Sequence, residues 1–391
     1  MDRYIPEQPE DLTSRWLTQT LREMGHLELS GEVTSVEREI LGEGEGFIGE
    51  IVRLRLSYKG GKGPDTLVAK MPRLENRAMG ELIGLYEREN CFYNELSRDV
   101  PIKTPNLYFS DFDRNPIRNE EEKVKGLANR TPEWLIPRVT RVALWAARRR
   151  KRRYLLLLED LGDAKIGDQL AGTDPERCTM VLTSMARAHA ALWESPALEN
   201  RYWLVPLARD SRVRQSMFLD MLKTFKDRHF ELFDEDFTRT ISWVSENGIT
   251  TIEQMHNEAP ETLIHGDLRL DNLAFRGDHP IFFDWQGIRR GPAAYDVAWF
   301  LSGASDDLTT KDETEVLHSY HKALEEHGVE GYTFEALHRH YQMGLLATLQ
   351  TMGVLTILDM GEGRGTEMAR SWVRRLRTRL ATIDLNHILD S

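Results

Sequence analysis

The spacing of apolar and polar residues changes period along this chain. Between Val52 and Tyr58 apolar and polar positions alternate, the signature of a half-buried strand. Two short apolar runs, Thr66-Leu67-Val68-Ala69 ending at Lys70 and Tyr154-Leu155-Leu156-Leu157-Leu158 ending at Glu159, read as buried strands. Leu273-Ala274-Phe275 and Ile281-Phe282-Phe283 enclose Arg276-Gly277-Asp278-His279-Pro280, a segment that fits a tight reversal, so they predict a β-hairpin. Helical spacing predicts helices over residues 9–24, with Leu12, Trp16, Leu17 and Leu21 on one face, and over residues 79–97, which carry Leu82, Leu85, Tyr86, Phe92, Tyr93 and Leu96. Helices are also expected over residues 179–193, 218–225, 237–247 and 249–257, and from about Ala293 the chain reads as nearly all helical up to residues 370–385. No internal repeat or low-complexity linker interrupts this order.

The candidate chemistry sits around the hairpin. His265-Gly266-Asp267-Leu268-Arg269-Leu270-Asp271-Asn272 precedes it, and Asp284 follows it. A hairpin returns its ends to one edge, so Asp267, Asn272 and Asp284 can meet. Two acids and an amide suit phosphoryl transfer, which needs positioning and charge neutralisation more than covalent chemistry. Asp267 would accept a proton from an attacking hydroxyl. Asn272 and Asp284 would hold magnesium through oxygen, as a hard cation requires.

Upstream, Gly44-x-Gly46-x-x-Gly49 shares its spacing with dinucleotide-binding turns, but those open a helix and a strand follows here. A phosphate-covering lid between strands and a plain hairpin turn both fit the segment. Glu43 and Glu45 sit awkwardly beside phosphate.

The loop His-Gly-Asp-Leu-Arg-Leu-Asp-Asn with Phe-Phe-Asp-Trp-Gln resembles the aminoglycoside phosphotransferase and choline kinase group of small-molecule kinases, and within it most closely the ecdysteroid-kinase-like branch. The resemblance covers roughly residues 30–305. It implies an α+β, protein-kinase-like fold with two lobes: an antiparallel-sheet N-lobe with one packed helix over residues 1–160 and a mostly helical C-lobe over residues 161–391. It implies that Gly44 and Gly46 lie in the lid and that Lys70 contacts phosphates. Glu89 would hold that lysine, with Glu87 and Glu81 as rivals. Backbone groups near Glu159 and Leu161 would bond the base, and Asp267 would act as the base toward the acceptor hydroxyl. Arg269 would neutralise charge near the γ-phosphate or pair with Asp271. Asp296 would brace the catalytic loop, and His189 would be a packing position.

The implied function is transfer of the γ-phosphoryl group from ATP, or GTP, to a small-molecule hydroxyl with Mg2+. A pseudokinase-type nucleotide-binding module is the alternative, disfavoured by the intact Lys70, Asp267, Asn272 and Asp284. A protein kinase is less favoured still. Asp284-Trp285-Gln286 stands in place of Asp-Phe-Gly, and the segment to Ala293 is too short for an activation segment. The acceptor stays open among sugars, amino alcohols, sterol-like alcohols and antibiotics. A lipophilic acceptor would ask Tyr202, Trp203, Phe218 and Phe225 to line a cleft; a cationic one would ask for acids near Asp267.

Composition adds a location and one anomaly. Two cysteines, no apolar stretch of membrane-spanning length and no signal-peptide pattern at the start lead to the expectation of a cytoplasmic enzyme. The net charge of −12 makes a nucleic-acid partner unexpected. Residues 115–153 break the average with twelve basic and four acidic residues, a local +8. This looks like an insertion in the N-lobe, read as a solvated loop or as an anion-contacting surface. Pro137 is expected to interrupt any long helix there.

Overall fold

The computed structural model describes residues 4–41, 49–74, 76–114, 131–132, 135–149, 152–355 and 363–390. The lid residues Gly44 and Gly46, together with residues 115–130 of the basic segment, lie outside the described residues. The chain forms two compact units: Met1–Arg98, Thr104–Glu122 and Arg141–Ala164 make the first, and Asp99–Lys103, Lys123–Thr140 and Lys165–Ser391 the second.

In the first unit, helix α1 (Ser14–Glu23) starts at Thr13, whose side chain accepts the Trp16 N–H. Strands β1 (Glu32–Leu41), β2 (Gly49–Lys59), β3 (Thr66–Pro72), β4 (Leu107–Phe112) and β5 (Tyr154–Glu159) form an antiparallel sheet in the order β1-β2-β3-β5-β4. Alternation along β2, β3 and β5 sends Val52, Leu54, Leu67, Ala69, Leu155 and Leu157 into one core with Leu17 and Leu21 of α1. Lys70 therefore stands on the opposite sheet face, between its cross-strand partners Ile51 and Leu156.

The single helix expected over residues 79–97 is two, α2 (Arg77–Leu82) and α3 (Leu85–Glu95). Gly84 between them has φ +73°, a left-handed conformation that ends one helix and restarts the chain in a new direction. Helix α3 is buried on every side from Leu85 to Tyr93, charged residues included.

Helix α4 (Ile136–Ala147) forms despite Pro137. The proline occupies the first turn, where its missing N–H has no helical partner to lose, so the helix starts beside it and does not run through it. Val142 and Trp145 on this helix are exposed, and the Arg149 guanidinium lies over the Trp145 ring at 3.8 Å. The end of the basic run is not free: Arg152 bonds Glu87 at 2.9 Å and Arg153 bonds Asp113 at 2.8 Å.

The second unit carries two small sheets among helices. Strand β6 (Lys165–Ile166) pairs with β8 (Leu273–Arg276), which forms the expected hairpin with β9 (His279–Phe282); β7 (Glu261–Ile264) pairs with β10 (Arg289–Pro292). The described helices are α5 (Pro175–Ala191), α6 (Ser211–Arg228), α7 (Glu235–Glu258), α8 (Ala293–Ala304), α9 (Thr310–Glu326), α10 (Phe334–Leu355) and α11 (Arg364–Leu380). The two helices expected over residues 237–257 are the single α7. Gly248, read as a break, is instead a contact point where an added Cβ would collide with the Gln215 side chain, so packing overrides its poor helix propensity. Trp203, Phe218 and Phe225 are buried in the core, and only Tyr202 of the proposed aromatic cleft is exposed. Three rings consumed by packing cannot line a binding cleft. Among the described residues no helix is long and apolar enough to cross a membrane.

Candidate active site

The loop after β7 is held by its own backbone chemistry. Gly266 has φ +76°, and a Cβ there would collide with the Gly287 carbonyl. A Cβ at Gly287 would in turn come 3.0 Å from Gly266 C and 3.2 Å from Asp267 Cβ. Two glycines thus let the Asp267 loop and the turn after Asp284 pack backbone to backbone. Buried Asp296, on α8, accepts the His265 N–H at 2.6 Å and the Gly266 N–H at 2.9 Å. His189 Nε2 lies 3.3 Å from the same carboxylate, and its Nδ1 lies 2.8 Å from the Tyr320 hydroxyl. Burial pushes the Tyr320 pKa well up, so its hydroxyl stays protonated to donate to Nδ1 and Nε2–H donates to Asp296. His265 is fixed likewise: Nε2 lies 3.1 Å from the Phe283 carbonyl, Nδ1 accepts the Asp267 N–H at 3.3 Å, and the ring packs on Trp285 at 4.5 Å.

Asp267 has three partners. Oδ2 accepts from Asn272 Nδ2 at 2.9 Å and lies 3.5 Å from Arg269 Nε; Oδ1 accepts the Trp299 indole N–H at 3.2 Å. Its side chain keeps 26% of its surface. Burial, opposed by Arg269 and aided by Asp284, raises its pKa above the ordinary carboxylate value. Asn272 is buried, and its Nδ2 is engaged by both the backbone and the side-chain oxygens of Asp267. That orientation leaves the amide oxygen for another ligand. Asp284 sits at φ +62°, ψ +59°, a left-handed conformation that costs a non-glycine residue strain and is a feature of functional turns. Gln286 Nε2 donates to its Oδ2 at 3.2 Å.

Arg269 makes the expected pair with Asp271 and also faces Asp267. It bonds Asp271 at 2.9 Å while lying 3.5 Å from Asp267. Burial opposes its charge, but Asp267, Asp271 and Asp284 outweigh that and raise its pKa. Asp271 is braced further by the Gln169 N–H at 2.8 Å and by Arg364 at 3.2 Å.

In the first unit, Lys70 Nζ lies 2.7 Å from Glu89 Oε2 and 2.9 Å from Oε1. The rival acids are engaged elsewhere, Glu87 with Arg152 at 2.9 Å and Glu81 with Arg77 at 3.7 Å. The expected base-binding strand end is tied to the segment before β4. The Glu159 N–H already donates to Asn106 O at 2.9 Å, and its carboxylate takes the Asn106 side chain at 2.7 Å. The Leu161 N–H makes no hydrogen bond among the described residues, so it is an available donor there. Arg53 grips Asp160 beside it through two bonds, 2.8 and 3.2 Å.

Sequence reasoning missed Trp299 and Gly287. Neither has a signal of its own: a tryptophan in an apolar helix reads as core, and a glycine after Trp-Gln reads as a turn.

A model of the phosphotransferase enzyme family (APH) matches residues 114–338, more than half of the chain. The chain belongs to the phosphotransferase enzyme family. With the family comes the reaction type, and this phosphotransferase is a small-molecule kinase. No curated protein matches its sequence. Solved structures share the fold. An amicoumacin kinase in complex with AMP-PNP and Ca2+ superposes with a TM-score of 0.53 at 10% identity, covering 97% of this chain and 99% of that one. A choline kinase from Cryptosporidium parvum gives 0.51 at 11% identity, covering 93% and 92%. An aminoglycoside 2'-phosphotransferase-IIIa in complex with GDP gives 0.50 at 13% identity, covering 94% and 97%. At these identities the likeness establishes the two-lobed, protein-kinase-like α+β fold.

Proposed function

We propose that this phosphotransferase moves the γ-phosphoryl group of ATP, or of GTP, to a hydroxyl of a small molecule with Mg2+. The observation that carries this reading is the Asp267–Asn272–Asp284 arrangement: a carboxylate of raised pKa bonded to an amide whose oxygen is left over, with a second carboxylate held in a strained turn. The donors fit a hard cation, since the amide oxygen of Asn272 and the carboxylate of Asp284 are the oxygen ligands magnesium takes. Magnesium, when bound, neutralises phosphate charge during transfer. Asp267 orients the acceptor hydroxyl and receives its proton; a pKa raised toward neutrality brings it nearer the ideal for a general base. Arg269 adds positive charge beside it. Lys70, held by Glu89, steadies the nucleotide phosphates, the lid with Gly44 and Gly46 covers them, and the backbone at Glu159 and Leu161 receives the base. The compartment we propose is the cytoplasm.

The test is nucleotide consumption with magnesium across a panel of aminoglycosides, amino sugars, choline-like alcohols, sterols and hydroxy acids, with mass spectrometry for a phosphate adduct. An adduct of +80 Da, roughly the mass of one phosphoryl group, is the expected product of transfer from the nucleotide. Nucleotide binding without any adduct across the panel would favour the binding-module alternative.

Two predictions concern the loop. The rate should fall on acidification as Asp267 is protonated, with its midpoint above that of an exposed carboxylate because the folded-state pKa is raised. The same sign means that Asp267 favours the folded state below its unfolded pKa, and that this contribution is lost as pH rises through its folded pKa. Trp299→Phe removes a donor to the charged form, so the acid limb of the pH–rate profile should move to higher pH. An unmoved limb would show that the indole does not tune Asp267. Separately, Lys70→Met should raise the KM for nucleotide at least about tenfold, the worth of one charge-assisted hydrogen bond, and an unchanged KM would remove Lys70 from the phosphate site.

A further inference from the structure

Among the described residues, a guanidinium of the second unit is left with an unpaired nitrogen. Arg214, on α6, has its Nη1 shielded from solvent with no hydrogen-bond partner, and Nη2 makes only a 3.5 Å bond to the Leu207 carbonyl. No ion pair joins it to a carboxylate among the described residues. The nearby carboxylate, Asp210, is bonded to Arg289 Nη1 at 2.7 Å. Burial, with Arg289 adding to it, lowers the Arg214 pKa against the opposing pull of Tyr295 and Asp210. A guanidinium nitrogen taken out of water without a partner is costly, and an anionic ligand is one way to satisfy it.

Its surroundings lead to the catalytic loop. Leu207, which receives the Arg214 bond, packs against β10: a Cβ on Gly291 would come 3.0 Å from Leu207 Cβ. Arg289 opens the same strand and pairs with Ile264, the residue before His265. Tyr295, on α8, stacks on Trp299 with centroids 6.0 Å apart, and Trp299 is the residue that donates to Asp267. Arg214 and Arg289 thus both face Asp210, and Tyr295, whose hydroxyl bonds Thr351, connects them through Trp299 to Asp267.

We propose that Arg214, with Arg289 and Tyr295, forms an anion subsite for the acceptor, so that the hydroxyl compound phosphorylated by this enzyme also bears a carboxylate or a phosphate. The proposal rests on the kinase reading above and narrows its acceptor class. A guanidinium offers the planar pair of donors that such oxyanions match, which a lysine does not. The surplus of positive charge is local, since the chain as a whole carries −12.

Thermal melting of the full chain tests this at matched ionic strength. The probes are lactate beside methyl lactate, and glycerol phosphate beside glycerol. At least one anion should raise the melting temperature while its neutral counterpart does not, and the arm that responds identifies carboxylate or phosphate. Arg214→Met should abolish the shift and, without ligand, melt above the wild type, because an uncompensated cation is gone. Arg214→Lys should keep part of the shift. In Asp267→Ala the shift should persist, so a failure of the kinase reading leaves it intact, whereas a failure of the subsite removes it and leaves turnover of neutral acceptors untouched as evidence for the kinase. Absence of a shift with every anion, an equal shift in Arg214→Met, or an Arg214→Met protein that melts below the wild type would each overturn the subsite.

Discussion

Asp267→Ala is expected to lower the rate of phosphoryl transfer by about a hundred- to ten-thousandfold, the usual share of one positioned acid–base group. At about 1.36 kcal/mol for each tenfold change, this is roughly 3 to 5 kcal/mol of barrier. The loss should appear in kcat and kcat/KM together, because orienting the attacking hydroxyl matters most in the transition state. Nucleotide affinity should stay near the wild-type value, since the groups proposed to hold the phosphates are Lys70, Asn272 and Asp284. Asn272 would lose the carboxylate oxygen that it bonds at 2.9 Å but keep its bond to the Asp267 backbone carbonyl, also 2.9 Å, so its amide should remain placed. Steady-state kinetics with a titration of nucleotide binding separates the outcomes. A kcat within about threefold of the wild type would exclude Asp267 as the base, given the size of effect that such groups carry.

The second large effect is expected at a residue with no proposed contact to substrate. Asp296→Ala should destabilise the protein by about 3 to 5 kcal/mol. The carboxylate is fully buried and accepts from two backbone N–H groups and from His189. Removing it leaves all three donors buried without an acceptor, each at a cost of about 1 to 3 kcal/mol, and nothing in the loop can turn to meet them. The same bonds fix His265 and the bend at Gly266 that presents Asp267, so activity should fall with stability. Asp296→Asn keeps one oxygen acceptor and should cost less. Denaturant unfolding of the three proteins is the check. A loss below about 1 kcal/mol for the alanine variant would mean that the loop is held by something other than this carboxylate, because one net hydrogen bond is worth about that much.

The parts of this enzyme that the sequence reveals are those with local rules. The hairpin at Gly277, the alternation of β2 and the apolar runs of β3 and β5 follow from side-chain period and turn chemistry, and the structure has them at the expected places. The Lys70–Glu89 pair was legible only through resemblance, because nothing local separates Glu89 from Glu87 and Glu81. What separates them is the tertiary partner each finds: Lys70, Arg152 and Arg77. Errors fell where packing overrides propensity. Gly84 breaks a helix that apolar spacing alone would continue, while Gly248, the same residue type, sits inside an unbroken one because its neighbours Gln215 and Gln350 need the space. The rings of Trp203, Phe218 and Phe225 read equally well as cleft or core, and burial decides for core. Trp299 and Arg214 were invisible for a related reason: their meaning lies in one bond made to Asp267 and one ion pair not made, and neither leaves a trace in spacing.

The central claim is metal-dependent transfer of a γ-phosphoryl group through the Asp267 loop. The most direct measurement follows γ-labelled ATP with Mg2+ and a pool of hydroxyl compounds, comparing the wild type with Asp284→Ala, whose carboxylate is assigned to the metal. The account predicts label in an organic phosphate with the wild type and a loss of at least about a hundredfold with the variant, as expected when electrostatic stabilisation of the transition state is removed. Undiminished label transfer by Asp284→Ala would contradict it.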